Sequence, residues 1–399
     1  MNYQERLDNL LKNFVDAGVP GCGLSVSYKG KIVYTGYHGL ARLEDQLKAD
    51  ENTVYKVASC SKLITSTAVM KLYEEGKLLL NDPIELYLPF FKNMEYQTYD
   101  GSNEITRHPT TQPITIKHLL TMTSGMPYMG KGSPTAVDYM EKMGAIFSKK
   151  MFAMTNMELA EEISKVPLAF DPGSHWHYGL SYDVLGAVVE AITGKTFGAY
   201  LKEAIFDPIG MDHTTFLCTE DMEKHLAGCY MYADGKHTNI STPPEMTPTN
   251  GAKLESGGGG LFSTLSDLTK FAGMWAQGGI WEGKRILSRN TIDLMRKNHL
   301  KGQPMEDFKK MCDQSYPWYK GYGWGLAGRT LVDCQEAGSN GSVGEFGWCG
   351  AYGPYILADP ERELGIAYTQ QMLPVIGGMQ DYCHPRIRNV VYSLLEEWD

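Results

Sequence analysis

Strand-like segments lie near both ends of this 399-residue chain, and helical patterns dominate the stretch between them. Residues 21–40 alternate with period two around a Lys-Gly pair, which predicts a β-hairpin. Residues 355–370 predict two more strands joined by a turn at an Asp-Pro pair. We therefore expect an α+β fold in which both ends of the chain build one antiparallel sheet, flanked by helices, with a mostly helical insertion.

Helices are predicted at four places, where apolar residues recur at helical spacing. These segments are residues 1–18, 59–76, 263–279 and 386–398. In the third of them, Ser266 is a candidate N-cap.

The chain therefore divides into two parts. Residues 1–57 and 255–399 form the part that contains the sheet, and residues 58–254 form the mostly helical part. Because a single sheet would join the two ends, we expect residues 1–399 to form one unit.

The charge balance disfavours two classes of partner. A net charge of -10 and a pI near 5.5 argue against nucleic acid or an anionic membrane, since both require a basic surface. Residues 1–18 lack the apolar stretch of a signal peptide, and no run approaches the ~18 apolar residues of a membrane span. We therefore expect a cytoplasmic protein whose eight scattered cysteines are free thiols.

An S-x-x-K motif, Ser59-Cys60-Ser61-Lys62, lies in the second predicted helix. Residues three apart share one face of a helix, so the Lys62 amine can reach the Ser59 hydroxyl. A neutral amine at that place can accept the serine proton as the hydroxyl attacks a carbonyl. Serine and lysine are both common, so the motif alone fits a surface lysine on an ordinary helix equally well.

The sequence around this motif resembles the serine β-lactamase and penicillin-binding-protein superfamily. The resemblance is carried by YKVASCSKLITSTAVMKLYEEGKLLLNDPIELYLP at 55–89, PITIKHLLTMTSGMP at 113–127 and SGGGGLFST at 256–264. It implies a β-lactamase/transpeptidase-like fold and a single catalytic unit, with Ser59 as nucleophile at the start of a buried helix and Lys62 as its base.

A second segment of the same superfamily is PGSHWHYGLSYDVLGAVVE at 172–190. In class C-like members a tyrosine in a Y-x-N segment shares proton transfer with the lysine, and the resemblance gives this role to Tyr178. Here Gly179 and Leu180 follow, so the asparagine is missing. That departure is similar to esterase and acyltransferase relatives. A tyrosine buried at a helix start is the alternative interpretation.

The third superfamily motif, K-T-G on a strand beside the active site, is replaced by Trp348-Cys349-Gly350. A tryptophan at this place removes a cation that would hold a substrate carboxylate, and it resembles the W-G-G of family VIII carboxylesterases. The resemblance predicts that all three residues contact substrate. It also predicts an oxyanion hole formed by the backbone N–H groups of Ser59 and Ala351.

These motifs together predict a serine hydrolase that acts through a covalent acyl-enzyme, as a carboxylesterase or acyltransferase on a small to medium acyl ester. A D-amino-acid peptidase, an amidase or a β-lactamase of the same fold is the first alternative, and a catalytically inactive binding protein is the second. The absent K-T-G lysine argues against the first, and intact Ser59, Lys62 and Tyr178 argue against the second. We expect a small-molecule ester or amide substrate, no cofactor and no metal.

Two other patterns are weaker. Residues 323–328 fit G-x-G-x-x-G but lack the strand, turn and helix that dinucleotide binding requires. His175 and His177 have no third metal ligand nearby in the sequence. No G-x-S-x-G occurs, which excludes the α/β-hydrolase nucleophile elbow.

Overall fold

A computed structural model of the protein describes residues 2–101, 104–128, 133–150, 153–241, 252–373 and 378–399. The strands are β1 (Gly21–Tyr28), β2 (Lys31–Arg42), β3 (Leu47–Lys48), β4 (Val54–Lys56), β5 (Glu95–Tyr99), β6 (Ile105–Pro109), β7 (Tyr230–Ala233), β8 (Lys236–Asn239), β9 (Phe262–Thr264), β10 (Ile280–Trp281), β11 (Lys284–Arg285), β12 (Tyr322–Trp324), β13 (Arg329–Leu331), β14 (Phe346–Cys349), β15 (Tyr355–Asp359), β16 (Leu364–Thr369) and β17 (Met372–Leu373).

The helices are α1 (Tyr3–Asp16), α2 (Ser61–Glu74), α3 (Ile116–Leu120), α4 (Pro134–Lys150), α5 (Asn156–Ser164), α6 (Ser181–Thr193), α7 (Phe197–Leu201), α8 (Asp207–Ile209), α9 (Glu220–Lys224), α10 (Leu265–Ala276), α11 (Arg289–Met295), α12 (Gln303–Ser315), α13 (Cys334–Ala337), α14 (Met379–Tyr392) and α15 (Leu395–Trp398). A π-helical segment, Lys202–Phe206, connects α7 to α8.

The central sheet has eight strands in the order β12-β13-β14-β15-β16-β1-β2-β3. Every neighbouring pair of strands in it is antiparallel, and β1 from one end of the chain pairs with β16 from the other, Val26 opposite Ile366. This pairing joins the two ends of the chain in one sheet. The predicted α+β fold, with one antiparallel sheet built from both ends, is confirmed.

Helices cover both faces of the sheet. Successive residues of a strand point to opposite faces, so neighbours on one strand contact different helices. On β15, Leu357 joins the cluster that includes α1 and α14, whereas Ile356 joins the cluster that includes α10 and α2. Both side chains are fully buried. The strands next to the candidate site are therefore held from two sides.

The part between β4 and β9 is mostly helical, and α2 is its most buried element: all but three of its fourteen residues are buried. The same part also contains two hairpins, β5–β6 and β7–β8, which the sequence did not predict. Residues 242–251, at the end of the predicted helical part, lie outside the described residues.

Helix boundaries differ from the predictions at two places. The N-cap of α10 is Thr264, whose side chain accepts the Asp267 N–H, so the predicted cap at Ser266 is wrong. The last predicted helix begins earlier, at Met379, and is divided by a break before Leu395. All eight cysteines are free, and seven of them are buried.

Candidate active site

Ser59 lies in a 3-10 turn, Ala58–Cys60, that leads directly into α2. The residue before it, Ala58, has φ of 45°, a left-handed conformation that costs about 1–2 kcal/mol for a residue with a Cβ atom. Strained backbone of this kind concentrates at functional sites, where the surrounding structure enforces it. The turn leaves Ser59 partly exposed, whereas its neighbour Cys60 is fully buried.

The Lys62 side chain reaches back along α2 to the serine. Its Nζ lies 3.2 Å from Ser59 Oγ and donates a hydrogen bond to the Gly258 carbonyl at 2.5 Å. The predicted spacing of S-x-x-K on a helix thus brings the two groups together. Lys62 is only 1% exposed, so its amine faces the serine with almost no access to bulk water.

Two opposing effects set the protonation of Lys62. Burial disfavours the ammonium and lowers the pKa of Lys62 to about 8, whereas the Asp183 carboxylate favours the ammonium and acts in the opposite direction. The rings of Tyr178 and Tyr128 also lie near Nζ, with centroids at 4.7 and 5.1 Å. With a pKa near 8, roughly a tenth of the amine is neutral at pH 7.

Tyr178 is positioned by the loop that ends in Met126 and Pro127. The Tyr178 carbonyl accepts the Tyr128 N–H at 2.9 Å, and Gly179 pairs with Pro127 in an isolated antiparallel bridge. A Cβ atom on Gly179 would lie 1.7 Å from the Met126 carbonyl oxygen, so only glycine fits here. This contact explains why glycine follows Tyr178, and it places segment 113–127 beside Tyr178.

The Tyr178 hydroxyl lies between Ser59 and the sheet. It accepts a hydrogen bond from Trp348 Nε1 at 2.9 Å. Burial raises the pKa of Tyr178 well above its usual value, and hydrogen bonds with Ser59 and Trp348 oppose that rise. The phenol is therefore neutral near pH 7 and can donate its proton.

Asp183, a residue that the sequence analysis missed, connects Lys62 to the glycine-rich segment at 256–260. It is buried and accepts hydrogen bonds from Ser256 Oγ at 2.5 Å, the Gly258 N–H at 3.3 Å and the Tyr128 hydroxyl at 3.2 Å. Its position in the first turn of α6, five residues after Tyr178, was the available signal. A lone aspartate at that spacing does not reveal which distant loop it will hold.

The residues in place of K-T-G occupy the end of β14 and the turn after it. Trp348 and Cys349 are each 3% exposed. A Cβ atom on Gly350 would lie 2.4 Å from the Val57 carbonyl oxygen, so glycine is required here for packing against the turn that carries the serine. Contact of Trp348, Cys349 and Gly350 with substrate stays a prediction.

The predicted oxyanion hole combines Ser59 with the turn after β14. The Ala351 N–H donates to no acceptor among the described residues, and Ala351 is partly exposed. Gly350 brings this turn against Val57, two residues before Ser59. A free N–H at this place is what a developing oxyanion needs.

The two histidines that could have suggested a metal have other partners. His175 Nδ1 lies 2.8 Å from Asp307, and His177 Nδ1 lies 3.1 Å from the Tyr178 carbonyl oxygen. Within the described ranges, no group of three His, Cys, Asp or Glu side chains is arranged to hold a metal ion. The glycines at 323–328 lie on and after β12, not in a strand–turn–helix unit.

Among the helices that the structure describes, none is by itself long and apolar enough to cross a membrane. One pair, Ser181–Thr193 and Phe197–Ile209, passes that test of length and composition together but is bent by 76°.

An antiparallel sheet between helical layers, with a serine in the turn that leads into a helix and a buried lysine in that helix, defines a class of serine hydrolases. The model of the Beta-lactamase family matches residues 7–376. The chain belongs to the beta-lactamase family and is a serine hydrolase with the β-lactamase/transpeptidase-like fold.

Several proteins of this fold are similar to the chain over most of their length. Esterase EstB of Burkholderia gladioli is 27% identical over 390 residues, which cover 92% of this chain and 89% of that protein. The structure of EstCE1, described as a hydrolase with promiscuous acyltransferase activity, has a TM-score of 0.80 and 24% identity and covers 98% of both chains. Unliganded simvastatin synthase LovD from Aspergillus terreus has a TM-score of 0.82 and 21% identity and covers 100% of both chains.

Proposed function

We propose that this protein is a carboxylesterase or acyltransferase that acts on small to medium acyl esters through an acyl-enzyme at Ser59. One observation carries the proposal: the side chains of Ser59, Lys62 and Tyr178 meet, with the lysine buried and its pKa lowered to about 8. A buried amine of this kind can act as a base near neutral pH.

Acylation begins when the neutral Lys62 amine accepts the Ser59 proton and Oγ attacks the ester carbonyl carbon. The carbonyl oxygen becomes an oxyanion, which the N–H groups of Ser59 and Ala351 stabilise. When the intermediate collapses, the bond to the leaving alcohol breaks and that alcohol takes the Tyr178 proton. Tyr178 regains a proton from the Lys62 ammonium, so the lysine is neutral again.

Deacylation repeats these steps with a new acceptor. Water or an alcohol gives its proton to the base and attacks the acyl-enzyme, and Ser59 leaves with a proton. Water yields hydrolysis, and an alcohol yields acyl transfer.

The absence of a cation at position 348 favours uncharged substrates over β-lactams in this proposal. No lysine stands at the K-T-G position to hold a carboxylate, and the rings around the Trp348 indole are aromatic. They belong to Tyr178, Tyr316, Tyr319 and Trp324. The names of esterase EstB and simvastatin synthase agree with this preference. A peptidase, amidase or β-lactamase of the same fold is the second candidate.

The site draws on both parts of the chain, which supports a single catalytic unit over residues 1–399. Ser59, Lys62 and Tyr178 lie in the mostly helical part, whereas Trp348 lies near the end of β14 and Ala351 lies in the turn after it. Their contacts cross the boundary between the parts.

A fluorophosphonate probe tests the nucleophile. We expect it to label the protein and to fail on Ser59→Ala. Ser61→Ala is the matched control, because the Ser61 hydroxyl is buried and accepts the Leu261 N–H at 3.2 Å. Undiminished labelling of Ser59→Ala would place the nucleophile elsewhere.

Substrate class is tested with short-chain p-nitrophenyl esters and nitrocefin. We expect kcat/KM for an ester to exceed that for nitrocefin by about 100-fold or more, the range that loss of a charged contact to substrate gives. Equal values for the two substrates would favour the second candidate.

A further inference from the structure

We propose that Trp348 is a positioning residue for proton transfer, and that it acts by donating its indole N–H to the oxygen of Tyr178. The inference rests on the function proposed above, in which Tyr178 delivers a proton to the leaving group. The hydrogen bond measures 2.9 Å, and the indole is 3% exposed. So little exposure leaves a substrate almost none of the ring to contact.

The direction of this hydrogen bond fixes what the tyrosine can do. An indole N–H only donates, so the Tyr178 oxygen must be the acceptor. The phenolic proton therefore points away from Trp348 and is free for transfer at Ser59, whose hydroxyl interacts with the same oxygen.

The hydrogen bond also strengthens during the reaction. Tyr178 is neutral at rest, because burial raises its pKa well above the usual value. As its proton moves to the leaving alcohol, negative charge develops on the oxygen, and a hydrogen bond to a charged acceptor is roughly twice as strong as one to a neutral group. An interaction that is stronger in the transition state raises kcat more than it lowers KM.

Packing holds the indole in place for this task. Its ring stacks on Tyr319 with centroids 5.5 Å apart and meets Trp324 edge-on at 4.8 Å. Behind Tyr319 lies the buried Arg329 guanidinium, 5.1 Å from the ring centroid. Trp348 itself pairs with Ile356 inside the central sheet. A donor fixed in this way needs no reorganisation when charge develops.

A double-mutant cycle with an ester substrate tests the coupling between Trp348 and Tyr178. Trp348→Phe keeps an aromatic ring and removes the N–H, and we expect kcat to fall about tenfold or more with little change in KM. In a Tyr178→Phe background the same substitution should cost less than about twofold, because the acceptor is already absent.

Trp318→Phe is the matched control. Trp318 belongs to the same aromatic cluster, but its N–H is donated to Asp381 at 2.7 Å. Its substitution should have the same effect on kcat in both backgrounds.

The possible results separate the inference from the function beneath it. If Tyr178→Phe alone keeps near wild-type turnover, the role of Tyr178 fails and the inference fails with it. If Tyr178→Phe is slow but Trp348→Phe costs an equal factor in both backgrounds, only the role of Trp348 is overturned.

A spectroscopic measurement covers the case in which Trp348→Phe does not fold. With ¹⁵N-labelled indoles, Tyr178→Phe should shift one Nε1–H resonance that the Trp318→Phe variant retains. An unchanged set of indole resonances would overturn the inference.

Discussion

Lys62 is the residue whose chemistry depends most on its surroundings. Desolvation lowers the pKa of its amine to about 8, and the nearby Asp183 carboxylate keeps that pKa from falling further. Its hydrogen bonds to the Gly258 carbonyl and the Ser59 hydroxyl hold the amine beside Ser59. No acidic residue lies within ten positions of Lys62 in the sequence, and the structure supplies one from α6.

The first prediction concerns the base form of Lys62. Because the amine must be neutral to accept a proton, kcat/KM should rise with pH through about 8 and level off above it. Lys62→Arg keeps the charge but cannot deprotonate, so kcat should fall about 100-fold or more. Steady-state rates across pH, with circular dichroism as a control for folding, check both. A flat profile from pH 6 to 9 would remove Lys62 as the base.

The second prediction concerns Asp183. Its negative charge favours the Lys62 ammonium, so Asp183→Asn should lower the pKa of Lys62 and move the acid limb of the kcat/KM profile to lower pH. Ser256→Ala is the control, since it removes a hydrogen bond to Asp183 and leaves the charge. A limb that moves equally in both variants would mean that loop geometry, not charge, sets the pKa.

The glycine-rich segment at 256–260 is the element that brings these groups together. Its Gly258 carbonyl holds Lys62, and its Ser256 hydroxyl and Gly258 N–H hold Asp183. A run of glycines lets the backbone approach both side chains closely.

The third prediction tests that close approach. A Cβ atom on Gly258 would lie 2.5 Å from Asp183 Oδ2 and 2.6 Å from the Tyr128 hydroxyl, so Gly258→Ala must displace either the loop or these two side chains. We expect kcat to fall about tenfold or more, because Lys62 loses its carbonyl partner. Gly144→Ala in α4 is the control, as its Cβ would meet nothing within 4 Å, and it should leave kcat unchanged. Normal turnover in Gly258→Ala would show that the loop position does not matter.

At the scale of the whole molecule, the sheet encloses a buried ion pair behind the site. Arg329 on β13 and Glu345 before β14 lie 2.9 Å apart, both 0% exposed. The rings of Tyr319 and Tyr322 face the guanidinium at 5.1 Å each. This pair anchors the strand that carries Trp348.

The fourth prediction concerns stability. Glu345→Gln would leave Arg329 charged and unpaired in the core, and breaking a buried pair costs about 3–5 kcal/mol of the free energy of unfolding. Urea unfolding followed by tryptophan fluorescence should show the loss as a lower midpoint. Glu162→Gln, at the exposed pair with Lys165, should leave the midpoint almost unchanged. Equal midpoints for the two variants would contradict an anchoring role for the buried pair.

The features that could be predicted from the sequence are local. The hairpin around Lys29, the strands of 355–370 and the helix after Ser59 follow from periodicity and turn residues, which act between near neighbours. The reach of Lys62 to Ser59 follows from helical spacing for the same reason. Tyr178 was predicted as the third site residue from the resemblance to the superfamily, not from spacing.

The surroundings of those residues depend on contacts between segments that are distant in the sequence. The carbonyl of Gly258 and the carboxylate of Asp183 come from segments far from Lys62 in sequence, and the N–H of Trp348 comes from a strand 170 residues after Tyr178. Glycine is required at position 350 because the Val57 carbonyl, also distant in sequence, leaves no room for a Cβ atom. Burial and long-range hydrogen bonds set the pKa of a side chain, and neither is encoded in its neighbours along the chain.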